Sequence, residues 1–413
     1  MSSSSSSRLR SVAAAVFFAA GLALGAGAAA QESLRPEVGR PLQAAQELIK
    51  SGKYREALAK VREAEAAGAR NANETYLIER MRLAAASGAG DAETAARSYE
   101  ALSNSPRLAA PEKLRMIESI AGSYYRAQQY AKAMQWCQRY LREGGTNGAM
   151  RTMLIQSQYL SGDFAGAIKE LTVEIQAADR AGTPPPEDRL KLLLNAASKQ
   201  GDNNAYVFAM EKLVTYYPKK EYWVDLLSRM QRKQNFSDRL ALDAYRLSLA
   251  TGSMSAAADY MEMAQLALQA DLASEGKQVI DKGMSSGALT TGAQADRAKR
   301  LKALVDKKLA EEAASRAEDE RQATAAKTGD ALVSLGMNLV YAGQPAKGVQ
   351  LMQQGIAKGG LKRPEDAKLH LGIAQFLAGD KAKAQATFKS VQGADGTADL
   401  ARLWALYARR GAA

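Results

Sequence analysis

Apolar residues recur along this chain at helical spacing. One stretch carries Leu154, Tyr159, Phe164, Ile168, Leu171 and Ile175, which places a continuous apolar stripe on successive helices. No run alternates apolar and polar residues for long enough to predict a strand. The helical pattern is itself repetitive. A small or polar residue, often Gly, is followed by Asp, Lys or Gln, and a few positions later by Ala. It reads Ser51-Gly52-Lys53-Tyr54-Arg55-Glu56-Ala57, then Gly90-Asp91-Ala92-Glu93-Thr94-Ala95, then Gln128-Gln129-Tyr130-Ala131-Lys132-Ala133. It continues as Ser161-Gly162-Asp163-Phe164-Ala165-Gly166-Ala167 and returns as Ala342-Gly343-Gln344-Pro345-Ala346-Lys347-Gly348 and Ala378-Gly379-Asp380-Lys381-Ala382-Lys383-Ala384. Each copy predicts a helix, a tight turn and a second helix. Gly suits the turn, and the small residue lets the two helices approach.

These phrases resemble the tetratricopeptide repeat family, whose unit is a helical hairpin of about 34 residues. The last full unit carries the likeness best. Leu371-Gly372 match the family's Leu-Gly pair, Gly379 its turn, Ala384 its small residue and Phe388 the following aromatic. Trp223 and Pro218 stand at the family's Trp and closing Pro positions. The resemblance covers nearly all of the chain after the first 30 residues. It implies an all-α fold, a helical-hairpin repeat solenoid or TPR-like superhelix of about nine or ten helix pairs.

Aligned on the small residue of the second helix, the units fall at Ala57, Ala95, Ala133, Ala167, Tyr206, Arg239, Gly276, Gly348 and Ala384. Successive steps run from 33 to 39 residues, except for one of 72. The long step predicts a degenerate unit between Ala293 and Gly329. Tyr206 and Arg239 break the small-residue rule, so packing is expected to differ between Leu190 and Gly252.

Two segments interrupt the pattern. Thr183-Pro184-Pro185-Pro186 predicts an extended connector. Ala293 to Lys327 has no Gly or Pro and is dense in Ala, Glu, Lys and Arg, which favours helix. As one helix it spans roughly 50 Å at about 1.5 Å per residue. As a hairpin with a break near Glu311 it is the degenerate unit, and the hairpin is the form expected. The organisation read from the sequence is therefore a leader at 1–30, an N-terminal array at 31–182 and a divergent central array at 183–292. A charged helical segment or degenerate repeat follows at 293–329, then a C-terminal repeat pair with a capping helix at 330–413.

The leader changes the expected location. Arg8 and Arg10 precede an uncharged stretch, Ser11 to Ala30, that ends Ala28-Ala29-Ala30 before Gln31. That order reads as a secretory signal peptide cleaved between Ala30 and Gln31, with a membrane anchor as the alternative. It predicts an exported, periplasmic protein. The net charge of +12 falls to +10 without Arg8 and Arg10. In an exported chain this basic balance points away from nucleic acid, towards a solvated surface with at most peripheral membrane contact. Apart from the leader, no stretch is long and apolar enough to cross a membrane.

Candidate chemistry is scarce. The single Cys137 excludes an internal disulfide, and the single His370 removes most zinc and histidine-dependent schemes. No phosphate-binding Gly-rich loop, nucleophile elbow or His-Glu-x-x-His helix is present. Cys137 reads as a buried structural residue and His370 as a helix-surface or interface residue. The adjacent carboxylates Glu311-Glu312 and Glu318-Asp319-Glu320 point different ways on a charged helix and form no acid/base pair. The expectation is a non-enzyme with no catalytic residue, cofactor or metal.

The resemblance implies binding along the concave face formed by the first helices. The family's groove positions correspond to Arg80, Tyr125, Arg126, Gln156, Tyr159, Asn195, Lys199 and Arg232. Tyr and Arg often dominate interface energies, and this set suits an extended acidic or C-terminal peptide. The alternative is that the tyrosines pack between units. The implied function is a scaffold or adaptor for a protein or peptide partner. Tyr216-Tyr217-Pro218-Lys219-Lys220-Glu221-Tyr222-Trp223 and Tyr260-Met261-Glu262-Met263-Ala264 are similar to repeat proteins associated with TonB-type transport systems. A non-catalytic or catalytic partner in envelope polysaccharide (peptidoglycan) processing is the second reading, and self-association through unpaired terminal helices the third.

Overall fold

A computed structural model describes residues 34–409. Ala30 and Gln31, the expected cleavage site, lie outside them. The described chain is helical and divides between Val173 and Glu174 into two compact units.

The first unit begins α1 (Pro36–Lys50), α2 (Tyr54–Glu65), α3 (Ala72–Ala89), α4 (Ala92–Ser103), α5 (Ala110–Arg126), α6 (Tyr130–Arg142) and α7 (Gly148–Ser161). The division falls within α8 (Phe164–Arg180), ahead of the proline connector. Helices pair in sequence order: α1 packs on α2, α3 on α4 and α5 on α6. Arg151 of α7 lies 3.8 Å from Glu170 of α8.

The recurring phrase is hinge chemistry. Gly162, at φ +86°, and Gly379, also at +86°, end first helices in the left-handed region. The Asp that follows caps the next helix. Asp91 Oδ1 accepts from Thr94 N at 3.0 Å, Asp163 Oδ1 from Gly166 N at 2.9 Å and Asp380 Oδ1 from Lys383 N at 3.1 Å. Asp202 does the same for Ala205 N at 2.9 Å, which locates a regular hinge inside the divergent region. The small residues Ala57, Ala95, Ala133, Ala167 and Ala384 are fully buried at their helix crossings.

The second unit continues through α9 (Glu187–Gln200), α10 (Asn203–Tyr216), α11 (Lys220–Gln231), a 3-10 turn (Asp238–Leu240) and α12 (Ala241–Thr251). Then come α13 (Ala257–Gln269), α14 (Ala273–Ser285), α15 (Ala293–Ala325), α16 (Asp330–Tyr341), α17 (Pro345–Lys358), α18 (Pro364–Leu377), α19 (Lys381–Ser390) and α20 (Thr397–Arg409). The described residues thus hold nine helix pairs, with α15 between the seventh and eighth and α20 after the last.

The expected hairpin between Ala293 and Gly329 is not formed. Residues Ala293–Ala325 make a single 33-residue helix without a break at Glu311. Nothing in the segment interrupts a helix, and both ends find packing. Ala298, Leu301 and Val305 are buried near its start, where α15 meets α13 and α14. Near its end Ala323 joins a cluster with Leu332, Leu339 and Leu351 of the next hairpin. That hairpin, α16 with α17, crosses on glycines. A Cβ on Gly336 would sit 2.6 Å from the Gly348 carbonyl, and one on Gly355 would sit 2.6 Å from the Gly329 carbonyl.

The second unit closes on itself. After α19 the chain turns back, and α20 packs on α10 and α12 as well as on α18 and α19. Trp404 stacks near Phe388 at 6.0 Å between ring centroids, and Tyr407 meets Trp223 edge-on at 6.1 Å. Trp223, Trp404 and Phe388 are all but fully buried, and truncating one such side chain to Ala typically costs about 3–5 kcal/mol. Tyr407 Oη donates to the Ala250 carbonyl at 2.6 Å, and Ser237 N to the Asp395 carbonyl at 2.9 Å. Within the described residues the last helix is therefore paired with the body of the second unit.

This closure accounts for one exception to the small-residue rule, and an adjoining contact for the other. Arg239 lies in the 3-10 turn and points outward to the returning chain, where it donates to Asp366, Asp395 and Thr397. Tyr206 is buried at the α10–α11 contact. The Arg229 guanidinium stacks 3.5 Å from its ring centroid, and its hydroxyl donates to Asp225.

Candidate interaction surface

In the first unit the first helices α3, α5 and α7 lie side by side, each touching the next. Four of the five candidate residues on them engage neighbouring elements. Arg80 on α3 pairs with Glu112 on α5. Tyr125 on α5 donates to Gln156 Oε1 on α7 at 3.0 Å. Its ring also meets Tyr130 of α6 edge-on at 5.5 Å, and partial burial raises its hydroxyl above the ordinary phenol value. Tyr159 makes the same edge contact with Phe164 at 5.5 Å. Both tyrosines therefore pack within their own hairpins while their edges border the face. Arg126, at the end of α5, is exposed and among the described residues is bonded only locally, to Ser123 Oγ at 3.1 Å. Gln156 is exposed beside it in sequence order on the next first helix.

Sequence reasoning missed two anchors of this surface. Arg107 Nη1 donates to Asn73 Oδ1 at 2.7 Å and lies 5.8 Å from the Tyr76 ring centroid. Next to Asn73, Glu74 is fully buried. It closes a capping box with Asn71 and receives Arg35 through Nε and Nη2, both at 2.9 Å. The bonds from Arg35, joined by backbone N–H groups, hold its carboxyl down at about 2 against the opposing effect of burial. The Asn71-x-x-Glu74 spacing is a readable cap signal, whereas the Arg35 pairing spans 39 residues and has no local signature.

In the second unit Asn195 and Lys199 stand exposed one turn apart on α9. Arg232 lies at the C-cap of α11 and donates to Ser228 Oγ at 2.7 Å.

The single Cys is buried and the single His stands half-buried at a helix interface. Cys137 is buried, and burial pushes its thiol up to about 12, so thiolate is negligible at neutral pH. His370 on α18 brings Nε2 to within 3.0 Å of Asp243 Oδ1 on α12. Asp243 also accepts from Arg246 Nη1 at 2.7 Å, and Arg246 grips both oxygens of Glu275 on α14 at 2.7 and 2.6 Å. Burial alone would raise the Asp243 carboxyl, but the neighbouring His370 and Arg246 charges outweigh it and hold it well below the ordinary range. This is an interhelical tie within a closed unit. The described residues contain no group of three or more His, Cys, Asp or Glu able to hold a metal, and no helix long and apolar enough to cross a membrane.

No protein-family model matches the chain. No curated protein matches it. Solved structures do. Yeast Tom70 is 12% identical over 91% of this chain and 96% of its own, with a TM-score of 0.24. A chain of the Naa15/Naa10 complex bound to HypK-THB is 15% identical over 90% of this chain and 69% of its own, with a TM-score of 0.26. The TPR domain of P58(IPK) is 11% identical over 90% of this chain and 97% of its own, with a TM-score of 0.21. At these scores the helical-hairpin repeat fold stands on the packing described above, and these neighbours add similarity without assigning an activity.

Proposed function

We propose that the protein is a non-catalytic scaffold that binds segments of other proteins on the first-helix face of its N-terminal unit. The observation that carries this is the row of α3, α5 and α7, whose exposed edge presents Arg126 and Gln156 beside the borders of Tyr125 and Tyr159. Tyr offers a large contact area at low conformational cost, and Arg and Tyr are the residue types enriched at interface hot spots. Arg80 is balanced by Glu112, so Arg126 supplies the uncompensated positive charge that favours an acidic stretch in the partner. Asn195 and Lys199 are the matching candidates on α9. Photo-crosslinking from positions 126 and 156 in living cells tests this, with position 60 on α2 as the control. Partner adducts should form at 126 and 156 and not at 60. Equal capture from all three positions defeats the assignment.

The same reading places the protein in the periplasm. Its support is the leader: Arg8 and Arg10, an uncharged stretch and the small-residue exit at Ala30. Mass spectrometry of the exported protein should find Gln31 at the N-terminus, and an intact Met1 start overturns cleavage.

A further inference from the structure

The return of α20 onto α10 leaves a cavity of about 320 Å3 at the seam between α10, α11 and α20. Its floor is apolar: Val207 from α10, Leu226 and Met230 from α11, and Leu403 from α20. Its rim is basic, formed by Arg229, Arg232, Lys233 and Arg402. Three of these four cations already have carboxylate partners. Arg229 is 3.4 Å from Asp225, Lys233 is 2.6 Å from Asp399, and Arg402 reaches Asp399 at 3.0 Å and also pairs with Glu211. Arg232 is different. Among the described residues it makes no ion pair, and its guanidinium is held only by the Ser228 hydroxyl. Four cations face three carboxylates, which leaves an excess of one positive charge.

Arg232 also borders a second, more open depression on the other side of α11, lined by Lys220, Glu221 and Ser253. It therefore stands at the mouth of the seam cavity, with solvent on one side and the apolar floor on the other. Apolar floor, single unmatched cation and a partly open volume together describe a site for one molecule with a hydrophobic body and one negative end.

We propose that this seam cavity binds a small apolar monocarboxylic acid, with its carboxylate on Arg232 and its hydrocarbon on Val207, Leu226, Met230 and Leu403. The site is separate from the first-helix face of the N-terminal unit, so either assignment can fail without the other. Isothermal titration of the full-length protein with octanoate tests it, alongside propionate, 1-octanol and octylammonium. Octanoate should bind with one-to-one stoichiometry. Propionate lacks the chain and octanol the charge, so each should bind about tenfold more weakly or worse. Arg232→Gln alters an exposed residue bonded only to Ser228 and should keep the fold while weakening octanoate by about tenfold. Val207→Phe should weaken it by filling the floor. No saturable octanoate binding at millimolar concentration overturns the proposal. So does unchanged affinity in Arg232→Gln, or octylammonium binding as tightly as octanoate. A peptide with a free C-terminal leucine that competes at this site more tightly than octanoate also overturns it, because the occupant is then a polypeptide end.

Discussion

Arg239 donates through Nε and Nη2 to the two carboxylate oxygens of Asp366, at 2.9 and 2.8 Å, across 127 residues of chain. The same Nη2 reaches Asp395 at 2.7 Å. One guanidinium thus joins the 3-10 turn before α12 to the start of α18 and to the loop that leads into α20. Arg239→Ala should destabilise the second unit by about 2 kcal/mol, as expected for removal of charge-assisted bonds in a partly buried setting. Arg239→Lys should recover little of this, because an ammonium cannot make the two-pronged contact. Urea denaturation followed by tryptophan fluorescence measures both, since Trp223 and Trp404 lie in the closing region. A midpoint unchanged in Arg239→Ala refutes the role.

Ending the chain after Gln392 should loosen helices far away in sequence. Without α20 the apolar faces of α10 and α12 lose their cover, and hydrogen exchange in α10–α12 should accelerate while that of α1–α6 stays as it was. Acceleration confined to α18 and α19 would show that closure carries no stability.

Crowding at the helix crossings should be costly in proportion to how tight they are. Ala167→Leu places extra methylenes at a fully buried position and should lose about 1–3 kcal/mol. Gly348→Ala should be comparable despite adding one carbon, because its Cβ would meet the Gly336 carbonyl and Val340 across the α16–α17 crossing. Thermal melts decide it, and a neutral Ala167→Leu would remove Ala167 from the crossing.

Acid should selectively weaken the first hairpins through Glu74. Its folded carboxyl titrates at about 2, below the roughly 4.3 of an unfolded glutamate. The contribution is therefore complete above about pH 5 and disappears as pH falls towards 2. Comparing melting temperatures of the wild type and Glu74→Gln from pH 7 to pH 3 isolates it. The gap should narrow on acidification, and a constant gap would rule out this linkage.

The hairpins were legible because their signals are local. Gly followed by Asp marks a hinge within two residues, and Ala four positions later marks the crossing. That rule works at Asp91, Asp163 and Asp380 for the same physical reason each time. The long helix α15 was one of two forms open from the sequence, and the repeat spacing favours the other. A step of twice the period suggested a lost hairpin, although Ala293 to Lys327 contains nothing that breaks a helix. The closure was not legible. Arg239 pairs with residues more than 120 positions away, and in one sequence it registers only as a misfit at a small-residue position. Of the candidate binding residues, sequence could place Arg126 and Gln156 on adjacent first helices. It left open whether Tyr125 and Tyr159 pack, and their edge contacts with Tyr130 and Phe164 lie within their own hairpins rather than between units.

The joining of α20 to α10 and α12 also bears on how such a chain can change in length. An open row of hairpins grows by duplication, since each new copy meets the same neighbour on either side. Between α12 and α18 an extra hairpin would push Asp366 away from Arg239 and His370 away from Asp243, so insertions there should be selected against. Cutting and rejoining is a different matter. A chain that begins at α11 and links the end of α20 to a displaced α9–α10 hairpin keeps every contact of the seam, which makes the second unit a natural subject for circular permutation.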